Sequence, residues 1–438
     1  MEAIDSMKKL VAALLSVMLL FSVAGCTAED IITLTFWHCM SENAGLMLEE
    51  QVKTFNETVG KEHGIRVEAI YQGSYTDATT KMNNMLSSNQ ENMLPDVMQM
   101  DATGKVNYLS SGAAYTVDQA QADDPSFDLS QLLPAAMGNW QLNGVQLGVP
   151  FATSTTVMYY NKTLLQQKGA QVPETFGDIA ALAPLFAGDP VIIYADLPNT
   201  PSLANWVGQL GSMLTDNNNG NAGSATALSC VENGALLTFL TEWKALYQSG
   251  ALENAEGSLE RFAAGQILFI CASSSKAAGL RSSIGDRFEM GIAQFPRVNE
   301  DAAKGSTASG SCLVMFDKGD DRLKAASRLF LAYMTSAPVQ ANVAVATGYI
   351  PANAASAQDE NYQALLQEFP DYAVSLRQLT ETPGTMRSVT VGPAKDFYYA
   401  IQNNVSDMLT YDLTPEETVS LLEAELNGLL HQYNLANP

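Results

Sequence analysis

The stretch VPFATSTTVMYYNK, residues 149–162, joins an apolar, proline-containing segment to four consecutive hydroxyl residues, Thr153, Ser154, Thr155 and Thr156. It then continues into an apolar strand, residues 157–160. A single buried strand accounts for residues 157–160, but it leaves the hydroxyls in need of partners, because buried polar groups are hydrogen-bonded. We read the stretch as a crossing between two lobes, with the hydroxyls facing the cleft. Asn161 is placed to N-cap a short helix that Gly169 can end in a left-handed conformation, so the strand opens a new βα unit. A second lobe is therefore expected from residue 150.

On the N-terminal side of this crossing the pattern alternates. Residues 32–37 are β-branched and aromatic, and a helix is expected over 43–55 with Leu46, Val52 and Phe55 inward. Residues 65–71 alternate as a strand, a helix follows over 76–86, and residues 96–100 form a third strand. This βαβαβ order predicts right-handed crossovers and a mainly parallel sheet. Ligand-facing positions lie at the carboxyl ends of such strands, here 38–41, 73–75 and Asp101.

On the C-terminal side, Thr175 and Asp178 form a capping box, residues 191–194 a strand, and Trp206 lies in an apolar stretch. The run DNNNG, residues 216–220, lacks the further acidic ligands of a calcium loop and reads as a surface turn. Residues 266–272 form an apolar strand followed at once by Ser273, Ser274 and Ser275 and then a helix. That junction offers hydroxyls and free N–H groups to a polar or anionic ligand. A strand over 288–295 leads into a polar segment taken as the second crossing, followed by a strand over 311–316 and a helix over 323–334. Residues 348–351, GYIP, form a rigid turn taken as the third. Thr414, Pro415 and Glu417 open the last helix. The expected lobes are 31–149 with 297–344, and 150–296 with 345–438.

The chain begins with Lys8 and Lys9, an uncharged apolar run over 10–23, and then Val23-Ala24-Gly25-Cys26. That is an export leader, short for a membrane span. Small residues before a cysteine resemble the bacterial lipoprotein box, so residues 1–25 are expected to be removed and Cys26 to carry lipid, anchoring an extracytoplasmic protein to the membrane. The formal charge of −24 argues against nucleic acid as a partner, which requires a basic face. Cys39, Cys230, Cys271 and Cys312 are widely spaced, without metal-ligand or redox pairing. No metal or cofactor is expected.

Taken together, FWH at 36–38, GSY at 73–75, PF and YYNK in the crossing stretch, ASS at 272–274 and TGYIP from Thr347 resemble the extracellular solute-binding proteins of ABC importers. Within that family the likeness leans toward glycerol-3-phosphate binders and then toward maltose-type sugar binders. The resemblance implies a two-lobed periplasmic-binding fold with three hinge crossings, closing on a solute and docking as a monomer on a membrane permease. It implies ligand contacts from Tyr75, Asp101, Ser154, Ser273, Gly310 and Tyr349. A carboxylate accepts hydroxyl donors and an aromatic face covers a sugar's C–H face. Trp37, His38, Phe176 and Trp206 are further aromatic candidates, with core packing as the competing role.

Relatives that bind phosphate place an arginine three residues after a proline. Counting from Pro393 gives Asp396, with Lys395 beside it and Arg387 upstream as alternative cations. A carboxylate at about 4 Å from a unit negative charge is unfavourable by about 4 kcal/mol at an effective dielectric of 20. The expectation is thus a neutral sugar or polyol, with glycerol-3-phosphate or a glycerophosphodiester as the alternative. The three histidines form no HExxH and no GxSxG elbow is present, which disfavours an enzyme. Paired glycosidase carboxylates and a sensor ectodomain remain as other readings.

Overall fold

The computed structural model describes residues 31–437. The leader and Cys26 lie outside them. The fold is α/β, built as two lobes on two mixed sheets.

In the first sheet, Ile65–Tyr71, Ile32–His38 and Val97–Met100 run parallel, as the βαβαβ pattern requires. Ser309–Phe316 then adds antiparallel to Val97–Met100 and also pairs with Ala114–Tyr115 and Val149–Ser154. Alternation decides which face is buried: Leu34 and Phe36 pack with Leu48, Val52 and Phe55 of helix Glu42–Glu57 and with Phe330. Leu46, expected inward, is 67% exposed. At 100° per residue it sits about 200° from Leu48, and Leu48, Val52 and Phe55 form the actual i, i+4, i+7 stripe.

The second sheet runs Leu252–Asn254, Ile192–Asp196, Ile267–Ser273, Thr156–Asn161, Met290–Ala293. Its first three strands are parallel and the other two antiparallel to their neighbours. Its larger core cluster centres on Phe176, Trp206, Phe239 and Trp243. Trp206 stacks on Phe239 at 5.2 Å and on Phe295 at 5.0 Å between centroids, and its indole N–H donates to the Pro296 carbonyl at 3.2 Å. Helices Ala394–Thr410 and Pro415–Ala436 complete this core with Phe397, Ile401, Val405, Leu422 and Leu426. The last helix starts with the expected capping box between Thr414 and Glu417.

Three crossings join the lobes. Val149–Ser154 belongs to the first sheet and Thr156–Asn161 to the second, so Thr155 alone makes the first passage. The second spans residues 294–308, between Met290–Ala293 and Ser309–Phe316. The third begins after helix Ala337–Thr347 and ends before Pro370–Tyr372, since residues 350–354 still bond to residues 131, 133 and 153 of the first lobe; the chain already meets the second lobe at Gly348, whose φ of 91° is left-handed. A Cβ there would lie 3.0 Å from the Ser274 carbonyl of the other lobe.

The DNNNG run is a turn whose Asn217 and Asn218 are exposed, as expected, but whose Asn219 and Gly220 are not at the surface. Asn217, Asn218 and Asn219 take φ of 49°, 59° and 55°, a left-handed turn that asparagine tolerates better than other side chains. Asn219 and Gly220 are buried because the turn docks on residues 387–390: Asn219 Nδ2 donates to the Arg387 carbonyl at 2.7 Å, and Thr390 N to the Asn219 carbonyl at 2.8 Å. Among the described residues no group of three or more His, Cys, Asp or Glu could hold a metal ion, and all four cysteines there are free.

Candidate functional site

The crossings are stitched by polar side chains that the chain order brings together. Gln378, fully buried, donates through Nε2 to Thr155 Oγ1 at 3.0 Å and the Thr156 carbonyl at 2.7 Å. Its Oε1 accepts from Phe295 N at 2.7 Å, so one amide ties the first crossing to the second. Thr155 Oγ1 donates to the Ser306 carbonyl at 3.0 Å, and Ser274 N to the Thr155 carbonyl at 2.8 Å. The Tyr159 hydroxyl donates to the Ser273 carbonyl at 2.8 Å. The Thr155 hydroxyl therefore serves the hinge and does not face the cleft. Ser154 is also buried, its Oγ 2.9 Å from Ser309 Oγ on the paired strand.

A second polar layer lies at the strand ends of the first lobe. Gln99 is fully buried; its Oε1 accepts from Cys39 N at 2.9 Å, and its Nε2 donates to the Tyr75 hydroxyl at 3.0 Å and to Ser311 Oγ at 2.8 Å. Tyr75 opens helix Tyr75–Ser87, which a reciprocal box between Ser74 and Asp77 starts. Tyr349, on the third crossing, has Tyr75 and Ser275 as polar neighbours, and burial raises its pKa. Ser275 Oγ is in turn 2.9 Å from Ser273 Oγ, at the end of Ile267–Ser273. A run of hydroxyls and one amide thus passes from Gln99 in one lobe through Tyr75 and Tyr349 to Ser275 and Ser273 in the other.

This run edges a cavity of about 950 Å³ between the lobes. Cys39, Ser41, Asn43 and Tyr75 line its first-lobe wall, Ser275, Lys276, Ser282 and Arg287 its second-lobe wall, and Tyr349 the hinge side. Of the residues expected at the site, Tyr75 and Tyr349 line this cavity. Asp101 is half-buried: its Oδ1 accepts from Thr103 N at 3.1 Å and Thr103 Oγ1 at 2.6 Å, and burial raises its pKa. It also faces Cys39, whose thiol burial, with Asp101 contributing, pushes up to about 12. Gly310 has φ 102° and pairs with Thr153; a Cβ would lie 1.9 Å from the Ala152 carbonyl, so backbone pairing alone requires glycine there.

The weaker aromatic candidates are core residues. Phe176 and Trp206 belong to the second lobe's aromatic cluster, and Trp37 is buried with Met98 and Trp140. His38 is buried between Phe36 and Tyr71, with its pKa lowered chiefly by desolvation. Asp396 and Lys395 are both exposed at the start of Ala394–Thr410 and line neither interlobe cavity. The proline count led to the wrong segment: the helix that follows Pro393 faces the second lobe's core and solvent, not the first lobe.

Arg387 is a further cation between the lobes, beside Lys276 and Arg287 on the wall of the larger cavity. It lines a second cavity of about 290 Å³ with Gly138, Asn139, Asn221, Thr307, Thr382 and Ser388. Its Nη1 is 3.3 Å from where a Gly138 Cβ would stand. Among the described residues its guanidinium has no hydrogen bond and no ion pair. Gln99, Gln378 and Ser311 were missed in the sequence, where an amide inside VMQM or a serine inside an apolar strand gives no periodic signal.

Residues 50–369 match the family model for bacterial extracellular solute-binding proteins. The sn-glycerol-3-phosphate-binding periplasmic protein of Yersinia enterocolitica is 23% identical over 426 residues, covering 94% of this chain and 95% of that one. Among solved structures, the Mycobacterium tuberculosis homologue in complex with glycerophosphocholine superposes with a TM-score of 0.73 at 20% identity, over 91% of this chain and 98% of that chain. The cyclic α-maltosyl-1,6-maltose binding protein of Arthrobacter globiformis gives 0.74 at 18% identity, over 92% and 99%.

Proposed function

This chain belongs to the bacterial extracellular solute-binding proteins, and we propose that it captures a sugar or polyol-type solute between its lobes and delivers it to an ABC permease. The observation that carries this is the set of hydroxyl and amide groups from Gln99 and Tyr75 in one lobe, with Tyr349 at the hinge, to Ser275 and Ser273 in the other, at the edge of a cavity large enough for a small oligosaccharide. Each member can exchange its present partner for a ligand hydroxyl, and the two tyrosines offer apolar faces. Asp101, half-buried with no cation paired to it among the described residues, adds an acceptor for hydroxyl donors. Ser154 and Gly310, where the first crossing pairs with Ser309–Phe316, complete the binding set as supports of the cleft floor. Binding and transfer, with no turnover of the solute, is the role this set serves.

A second reading, a phosphorylated polyol such as a glycerophosphodiester, is favoured by Arg387. The electrostatic objection to phosphate rested on Asp396, which lies off the cleft, whereas an unpaired guanidinium between the lobes suits a phosphate through charge-assisted, bidentate hydrogen bonds. Lipidation at Cys26 would tether the mature protein beside its permease, and Cys26→Ala should release it from the membrane fraction. Calorimetry of the mature protein against maltose-type oligosaccharides, glycerol-3-phosphate and glycerophosphocholine decides between the ligands. Binding of sugars alone supports the first reading, binding of the phosphate compounds alone supports the second, and turnover of a bound compound would contradict the transport role.

A further inference from the structure

Lys105 is fully buried and has no carboxylate within ion-pair distance among the described residues. Its ammonium donates to Asn221 Oδ1 at 2.9 Å, to the Asn139 carbonyl at 3.2 Å and to the Gln141 carbonyl at 3.4 Å. Lys105, Asn139 and Gln141 belong to the first lobe, where Trp140 and Leu142 pack with Trp37 and Met100. Asn221 belongs to the second, since it follows the left-handed turn and precedes Ala225, which packs with the Trp206 cluster. The shortest of the three bonds therefore passes from one lobe to the other.

Other bonds surround it at the same interface. Asn143 N donates to the Asn221 carbonyl at 2.7 Å, and Ser388 Oγ to Asn139 Oδ1 at 2.6 Å. Asn221 Nδ2 donates to the Ser388 carbonyl at 2.7 Å, and its Oδ1 also accepts from Thr390 Oγ1 at 2.9 Å. The segment that carries Arg387 is thereby held to the turn, and the turn to the first lobe. A lysine is almost never fully buried unless paired with an opposite charge, and neutral carbonyls replace its hydration only partly. A contact built this way forms hydrogen bonds on closing and returns the ammonium to water on opening, so it is reversible.

We propose that Lys105 and Asn221 form a clasp between the lobes, made when they close and broken when they open, that sets the placement of the Arg387 segment against the first lobe. Lys105 is a positioning residue here and need not touch the solute. The proposal rests on the reading that the lobes part to admit a solute, but it can be tested without knowing which solute.

Trace acetylation with acetic anhydride, resolved lysine by lysine through peptide mass mapping of the mature protein, measures how often the amine is reached. In the wild type Lys105 should be among the slowest lysines to react. Asn221→Ala should raise its rate at least about tenfold, leave Lys162 and Lys168 of the second lobe unchanged, and increase the radius of gyration in solution scattering. Ser388→Ala leaves the turn's own bonds in place and removes a neighbouring interlobe bond, so it should shift both readouts the same way by less. If neither variant changes Lys105 labelling, its own lobe buries it and the clasp is wrong. Faster labelling at an unchanged radius of gyration would mean local loosening only, and would overturn the proposal equally.

Discussion

The two places where the lobes face each other are built on opposite plans. Around Tyr75 and Tyr349 the lobes enclose a cavity of about 950 Å³, whose edge carries hydroxyls and an amide that can trade partners beside the charged Lys276 and Arg287 of the wall. Around Lys105 and Asn221 they touch directly, with a charge buried and every bond made within the protein. The first arrangement leaves hydrogen-bonding capacity for a guest. The second spends it on the geometry of the lobes themselves, so ligand recognition and lobe placement should be separable by mutation.

The largest separable effect should come from Arg387. If a phosphate compound is the solute, Arg387→Ala removes charge-assisted bonds to it and should weaken glycerophosphocholine binding by about 10- to 150-fold, with the unfolding midpoint unchanged because the guanidinium has no hydrogen-bond or ion-pair partner among the described residues. An unchanged affinity in calorimetry would take Arg387 out of the site. Gln99→Leu should lower affinity for whichever compound binds by roughly 5- to 100-fold. Unlike Arg387→Ala it should also destabilise the first lobe by about 1–3 kcal/mol in denaturant unfolding, because Cys39 N loses its buried acceptor.

A smaller effect distinguishes the clasp. Burial holds the Lys105 pKa down to about 8, against an ordinary lysine near 10.4 once water reaches it. Below about pH 8 both arrangements carry the proton and closure is indifferent to pH. Above it the closed form gives up the proton first, so deprotonation favours closure, and affinity should rise by up to about eightfold between pH 7.5 and 9. Asn139, Gln141 and Asn221 are neutral, and burial raises the Cys312 thiol well above its ordinary value, so the lysine is the group that titrates there. Lys105→Met should flatten this profile in calorimetry across that range. The smallest effect, about fivefold or less in affinity, is expected for Tyr75→Phe, which keeps the ring and loses one hydroxyl.

How far the sequence could be read follows the same division. Strand and helix order was legible because it rests on periodic burial, and the passage between lobes was legible at residues 149–162 because apolar strands flank a hydroxyl run. Which way those hydroxyls point was not legible. Thr155 is claimed by Gln378, some 220 residues away, and no local pattern announces such a partner. The same holds for Gln99, whose amide joins Cys39, Tyr75 and Ser311. Leu46 failed through helical phase, and Asp396 through a count along a chain that turns away from the cleft. The DNNNG run was legible as a turn, but the burial of Asn219 and Gly220 was not, since it depends on residues 387–390.

Solution scattering of the mature protein, before and after saturation with the compound that calorimetry identifies, tests capture between the lobes most directly. Two lobes that part at three crossings and close on a guest should show a smaller radius of gyration in the bound state. A radius that does not change at saturation, with binding verified on the same sample, would contradict it.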